Sequence, residues 1–170
     1  IGSEELKTEI LHELLIGPIF CLMYSEPGAG SDLAGIRTRA VKDGDDFVIN
    51  GQKVWTSNAQ EADYGMLLTR TDIDVPKHQG ITFFIFPMKQ EGVEVRPINQ
   101  ITGESEFNEV FISNARVSAR FIIGEYNQGW KSFQAAIASE RLIMGMGITA
   151  RAGRSAESKA PALLRLAHKH

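Results

Sequence analysis

The chain has 170 residues, 43% of them hydrophobic, with 18 basic and 21 acidic side chains and a formal charge of -3. That is enough apolar material to bury the core of one or two domains, which excludes an intrinsically disordered chain. Both signs of charge are mixed along the length, with no basic stripe and no acidic tail, so no nucleic-acid surface is expected.

Residues 3–15 place Leu6, Ile10 and Leu14 at helical spacing behind Ser3 as a cap, with acids in the first turn. Gly17-Pro18 ends that helix. The longest apolar run, residues 14–24, is interrupted by this pair, is too short to span a bilayer and lacks the basic flank of a signal peptide. A soluble protein with no membrane partner is the expectation. Cys21 is the only cysteine, so no disulfide framework holds the fold and a reducing, intracellular compartment follows.

From residue 19 the period changes to two. Residues 37–41 alternate, Asp43-Gly44-Asp45 makes a hairpin turn, and residues 47–49 return before Asn50-Gly51 turns the chain again. Further strands are expected at 64–71, 81–86, 93–96, 109–112 and 121–123. Short strands in this arrangement predict a barrel or sandwich, not a parallel sheet. After Gly124 the pattern is helical again, with Trp130, Phe133, Ile137, Met144 and Ile148 at three- and four-residue steps to about Ser155. Ser158-Lys159-Ala160-Pro161 breaks it, and 163–170 begins another helix. The apolar face of the long helix has no partner within the sequence, so the chain reads as the centre of a larger protein or as one member of an assembly.

Two polar segments stand out in the strand-like region: Ser25-Glu26-Pro27-Gly28-Ala29-Gly30-Ser31-Asp32 and Gly51-Gln52-Lys53-Val54-Trp55-Thr56-Ser57. The first joins a turn-setting proline to glycines that allow close approach of a ligand, with amides and hydroxyls left to hydrogen-bond. The second offers an indole to stack and two adjacent hydroxyls. The first segment by itself is also what a simple turn looks like. It is not a dinucleotide fingerprint, because Gly28 and Gly30 are followed by Leu33 where a third glycine belongs, and the next segment reads as strand and not helix.

These two segments, the latter extended back to Ile49-Asn50, together with Phe107-Asn108-Glu109-Val110-Phe111, resemble the flavin-dependent acyl-CoA dehydrogenases in order and spacing. The resemblance runs from about Leu6 through Arg154, and Gly124-Glu125-Tyr126-Asn127-Gln128-Gly129-Trp130 is similar to that family's entry into its carboxy-terminal helices. It implies an α+β architecture: residues 1–17 end a helical amino-terminal domain, 18–123 form a central β-barrel that binds FAD, and 124–170 start a helical bundle. It further implies α,β-dehydrogenation of an acyl-CoA thioester, electron-transfer flavoprotein as the oxidant's partner, a place in fatty-acid β-oxidation, and a homo- or hetero-oligomer, dimer or tetramer, in a bacterial cytoplasm or the mitochondrial matrix. An acyl-CoA oxidase and a non-catalytic subunit of a heteromeric complex are the alternatives.

Carried over residue by residue, the resemblance implies that Leu22, Tyr24 and Ser25 line one edge of the isoalloxazine. Gly30 and Ser31 continue it toward the diphosphate and the thioester substrate. Trp55 covers one face, Thr56 donates by its backbone, and Ser57 supplies a hydroxyl near N5, where donors favour the anionic reduced ring. Glu140 falls on the apolar face of the helix after Gly129, where desolvation raises a carboxyl pKa toward the range of a general base. A minority of the family is similar in taking its base from this position, just before an arginine. The alternative is a structural carboxylate, with the base outside this chain. Arg141 resembles a substrate or cofactor contact, or else is half of an ion pair.

Other residues carry plainer expectations. His12, His78, His168 and His170 lack metal-ligand spacing, and Met144 and Met146 are packing residues. Lys53 is expected on a solvated strand face, and Asn108-Glu109 at a turn or interface.

Overall fold

The computed structural model describes residues 19–139 together with Glu4, Thr8, Gly17 and Arg141. The described residues fall into two compact units, 1–132 and 133–170. The first carries seven strands: β1 (Phe20–Met23), β2 (Arg39–Asp43), β3 (Asp46–Ser57), β4 (Tyr64–Arg70), β5 (Ile81–Pro87), β6 (Val93–Pro97) and β7 (Phe107–Ser118). They form one curled, half-barrel sheet in the order β1-β4-β2-β3-β7-β6, with β5 on β4. In the second unit the described residues, 133–139 and 141, are helical. The expected amino-terminal helix and the helical stretch beyond 141 lie outside the described residues.

The pairing is mostly antiparallel, as the short strands predict. β2 and β3 close through a two-residue turn with Asp43 opposite Asp46 and Gly44 in the left-handed region at φ 64°. β1 and β4 run parallel, with Phe20 opposite Tyr64. β5 is buried from Ile81 to Phe86, which explains why its sequence, Ile-Thr-Phe-Phe-Ile-Phe, is a run of large residues and not an alternation. Its Phe84 meets Phe47 of β3 edge-on at 5.1 Å, and Met23, Ile49, Leu67, Val110 and Ile112 complete the same core.

Four expectations need correction. Asn50-Gly51 does not turn the chain: β3 runs unbroken through it for 12 residues, with a register shift against β7 between Ile49 and Gly51. The glycine serves close approach instead, because a Cβ there would lie 2.5 Å from Thr38 Oγ1 and 2.7 Å from its Cα. Residues 121–123 are not a strand; a 3-10 turn, Ala119–Phe121, is followed by a single bridge from Ile122 to Phe84. The segment after Asp32 begins with a 3-10 turn, Leu33–Gly35, before β2. Asn108 and Glu109 lie within β7, and Asn108 is fully buried.

Candidate functional site

The first polar segment folds as a tight turn. Glu26 and Ala29 exchange backbone hydrogen bonds of 3.0 Å in each direction across Pro27-Gly28. The second segment lies alongside it, and the amide of Val54 donates to the Ser25 carbonyl at 2.9 Å.

β3 changes parity at this point. Phe47, Ile49 and Lys53 are buried, in step with a strand that alternates. The ladder to β7 pairs Lys53 with Val110 and then Thr56 with Asn108, so β3 carries one extra residue. Trp55 sits in this bulge with a left-handed backbone, φ 62°. For a non-glycine residue that conformation costs about 1–2 kcal/mol. Beyond the bulge Thr56 is inside, while Trp55 and Ser57 face outward. Trp55 is 60% exposed and meets Phe107 edge-on at 6.1 Å.

The bulge and the turn create a cavity of about 260 Å³. It gathers Leu22, Tyr24 and Ser25 from one segment with Trp55 and Ser57 from the other, and Phe20, Cys21, Val54 and Asn58 complete its wall. Burial pushes the Cys21 thiol up to about 12, so this side chain contributes apolar surface and not a nucleophile. Four of the described sequence-predicted residues, Gly30, Ser31, Thr56 and Arg141, do not line this cavity. Gly30 and Ser31 lie exposed in the loop beyond the turn. Thr56 points inside, and its Oγ1 and the Oδ1 of Asn108, opposite it on β7, are buried without a partner among the described residues. Arg141 is an exposed helical residue. Glu140 lies outside the described residues.

The largest departure from expectation is Lys53, which is 0% exposed. Its Nζ donates to Glu26 Oε1 at 2.8 Å and to the Tyr24 carbonyl at 3.1 Å. An ammonium can be buried only if paired and hydrogen-bonded, and the Pro27-Gly28 turn delivers that partner. The Glu26 carboxylate also accepts from the amides of Arg37 at 2.6 Å and Thr38 at 2.9 Å. Burial pushes the Lys53 amine down from 10.5 to about 8, against the pull of Glu26. Burial acts upward on the Glu26 carboxyl, but the Lys53 charge and the hydrogen bonds from Lys53, Thr38 and Arg37 outweigh it and hold the group below its ordinary range.

A second cavity, about 450 Å³, opens beside residues 34–39 and the β4–β5 loop, and Arg37, Arg39, Arg70 and Lys77 bring four cationic side chains to its wall. Arg70 is nearly buried, its guanidinium donating to the carbonyls of Ala34, Lys77 and Gln79. Lys77 pairs with Asp32 at 2.8 Å on the surface.

Comparison with known proteins adds four likenesses. The family profile described as acyl-CoA dehydrogenase, middle domain, matches residues 21–122. Acyl-CoA dehydrogenase FadE34 of Mycobacterium tuberculosis is 48% identical over 129 residues, covering 76% of this chain and 18% of that protein. The crystal structure of the ChsE4-ChsE5 complex from Mycobacterium tuberculosis superposes with a TM-score of 0.74 at 42% identity, over 81% of this chain and 35% of that one. A glutaryl-CoA dehydrogenase from Mycobacterium smegmatis, solved in complex with FADH2, gives 0.64 at 34% identity, over 77% and 34%. This chain spans well under half the length of each of these proteins.

Proposed function

The chain belongs to the acyl-CoA dehydrogenase family, and from that membership we propose that it forms the flavin-holding centre of an enzyme that desaturates the α,β bond of an acyl-CoA thioester. The observation that carries this reading is the cavity in which Tyr24, Ser25, Trp55 and Ser57 meet across the turn and the bulge. Its size is near the lower end of small-molecule pockets, about 300–1,000 Å³, which suits part of a dinucleotide more than the whole. The residues fit a fused-ring cofactor: two serine hydroxyls are available to ring nitrogens and oxygens, and an exposed indole is aimed by a strained backbone conformation.

FAD, when bound, supplies the acceptor for the two electrons removed from the substrate. The chain's own residues bind and orient it. Ser25 and Ser57 offer O–H donors, Trp55 and Leu22 offer apolar surface, the Thr56 amide is a backbone donor next to them, and Gly30 and Ser31 extend toward the diphosphate. The α-proton needs a carboxylate, which is Glu140 or a group outside this chain. We assign residues 18–123 to the flavin domain and the flanking residues to helical domains.

The second cavity supports a CoA-linked substrate. Three residues past Ser31, the wall that contains Arg37, Arg39 and Lys77 offers positive charge to a polyanionic phosphate tail. Removing Arg37 and Arg39 together should raise KM for acyl-CoA by about fivefold or less per arginine, more at low salt, with kcat nearly unchanged. Steady-state kinetics at two ionic strengths checks it.

The experiment that tests the whole reading is the visible spectrum of the full-length gene product. A flavin band that bleaches with an acyl-CoA supports it, and slow reoxidation in air with fast reoxidation by electron-transfer flavoprotein separates a dehydrogenase from an oxidase. The likeness to the ChsE4-ChsE5 complex favours a second reading, in which this chain is a non-catalytic subunit of a heteromer; a colourless product that gains activity only with another subunit selects that one. Ser57→Ala should keep the fold, since Ser57 is exposed, and slow flavin reduction by about tenfold, the scale of one lost donor to a charged group. Stopped-flow reduction at saturating substrate measures it.

A further inference from the structure

We propose that Lys53 is a positioning residue for the cofactor cradle: from inside the domain its ammonium holds the Tyr24–Ser25 wall of the cavity at a fixed distance from Trp55 and Ser57. The inference rests on the flavin reading above.

Lys53 is placed where it can tie both walls. It lies two residues before Trp55 on the same strand, and it is bonded to the carbonyl of Tyr24, the residue just before Ser25. Its second acceptor, Glu26, is anchored by the amides of Arg37 and Thr38. The ammonium therefore pulls against a fixed point and not against a loose side chain. A further link between these walls among the described residues is the Val54 amide to the Ser25 carbonyl. The backbone bond and the lysine bonds hold the walls at separate atoms, and together they restrain rocking that either alone would allow.

A purely structural role predicts a different outcome. Buried ion pairs can often be replaced by apolar groups of similar size with no loss of stability. If stability were the whole role, neutralising both partners would be silent toward the flavin. A positioning role makes the geometry of the wall itself depend on Nζ, and cofactor sites lose binding when a supporting shell loosens by a fraction of an ångström.

The test uses the full-length gene product with three readouts: FAD dissociation constant by fluorescence titration, flavin midpoint potential, and amide exchange of Val54. Lys53→Met alone leaves Glu26 unpaired, so Lys53→Met combined with Glu26→Gln, in which neither group is charged, carries the test if the single variant unfolds. The expected result is a folded double variant that binds FAD about tenfold or more weakly, with a displaced potential and faster exchange at Val54. A folded variant with wild-type affinity, potential and exchange overturns the positioning role while leaving the flavin reading intact. Wild-type protein that binds no FAD overturns both.

Discussion

Replacing Glu26 by alanine is expected to destabilise the β-domain by about 3–5 kcal/mol, the cost of leaving one partner of a buried ion pair without the other. Glu26 and Lys53 are 6% and 0% exposed in their side chains, so water cannot take over the role of the missing carboxylate. The amides of Arg37 and Thr38 lose their acceptor in the same step. The effect has a pH signature. The Glu26 carboxyl is held below its ordinary 4.5 in the folded chain, so its contribution is present above that value and is lost as pH falls through the folded pKa. The stability gap between wild type and variant therefore opens as pH rises through the acid range. Lys53 acts in the opposite direction on that gap. Its amine titrates at about 8 when folded and lower still without Glu26, so the variant discharges its lysine first and its deficit shrinks as pH climbs toward about 8. Urea denaturation at acid, neutral and alkaline pH should trace a gap that is widest in the middle. A gap independent of pH would mean that the pair is not the source of the loss.

The same pair shows what the sequence could and could not convey. Period-two alternation from Phe47 through Ile49 and Gly51 places position 53 on the inner face, and the structure agrees. Residue type argues the other way, since an unpaired lysine does not belong in a core. The missing information was the partner, 27 positions earlier at Glu26, which becomes visible only when the Pro27-Gly28 turn is laid against β3. Glycine also misled at Asn50-Gly51, where the dipeptide that most often turns a hairpin instead lets Thr38 approach an unbroken strand. The bulge at Trp55 had no signal at all, because a tryptophan is a poor guess for a left-handed position. That bulge decides which residues face the cavity. Without it Thr56 would share a face with Trp55's neighbours at the opening, and with it Ser57 does. Strand positions, by contrast, were legible wherever burial was two-sided, as along Ile81–Pro87, where an unbroken apolar run leaves little choice.

Replacing Arg70 by alanine should be nearly as damaging to the fold and have a different functional consequence. Arg70 ends β4, and its guanidinium reaches three backbone carbonyls: Ala34 in the turn after the first polar segment, and Lys77 and Gln79 in the loop to β5. Three carbonyl acceptors suit an arginine, whose guanidinium carries five N–H donors and can serve several oxygens at once. Burial pushes the guanidinium pKa down while the charges of Glu26 and Asp72 draw it up, and the group remains charged at every accessible pH. Loss of the fork leaves the buried Ala34 carbonyl unsatisfied and frees the loop that Gly80 closes against Thr71 and Asp72. The expected cost is about 2–4 kcal/mol, seen as a lower melting temperature and as earlier proteolytic cleavage within residues 72–79. Arg70→Lys should recover only part of this, since one ammonium cannot span all three carbonyls. The first cavity, to which the proposed function gives the flavin, is walled by Tyr24, Ser25, Trp55 and Ser57, whereas Arg70 lines the second. FAD content should therefore be kept while KM for acyl-CoA rises, the reverse of the pattern expected when Lys53 is neutralised. If Arg70→Lys instead lost FAD and kept its KM, the two cavities would not divide cofactor from substrate.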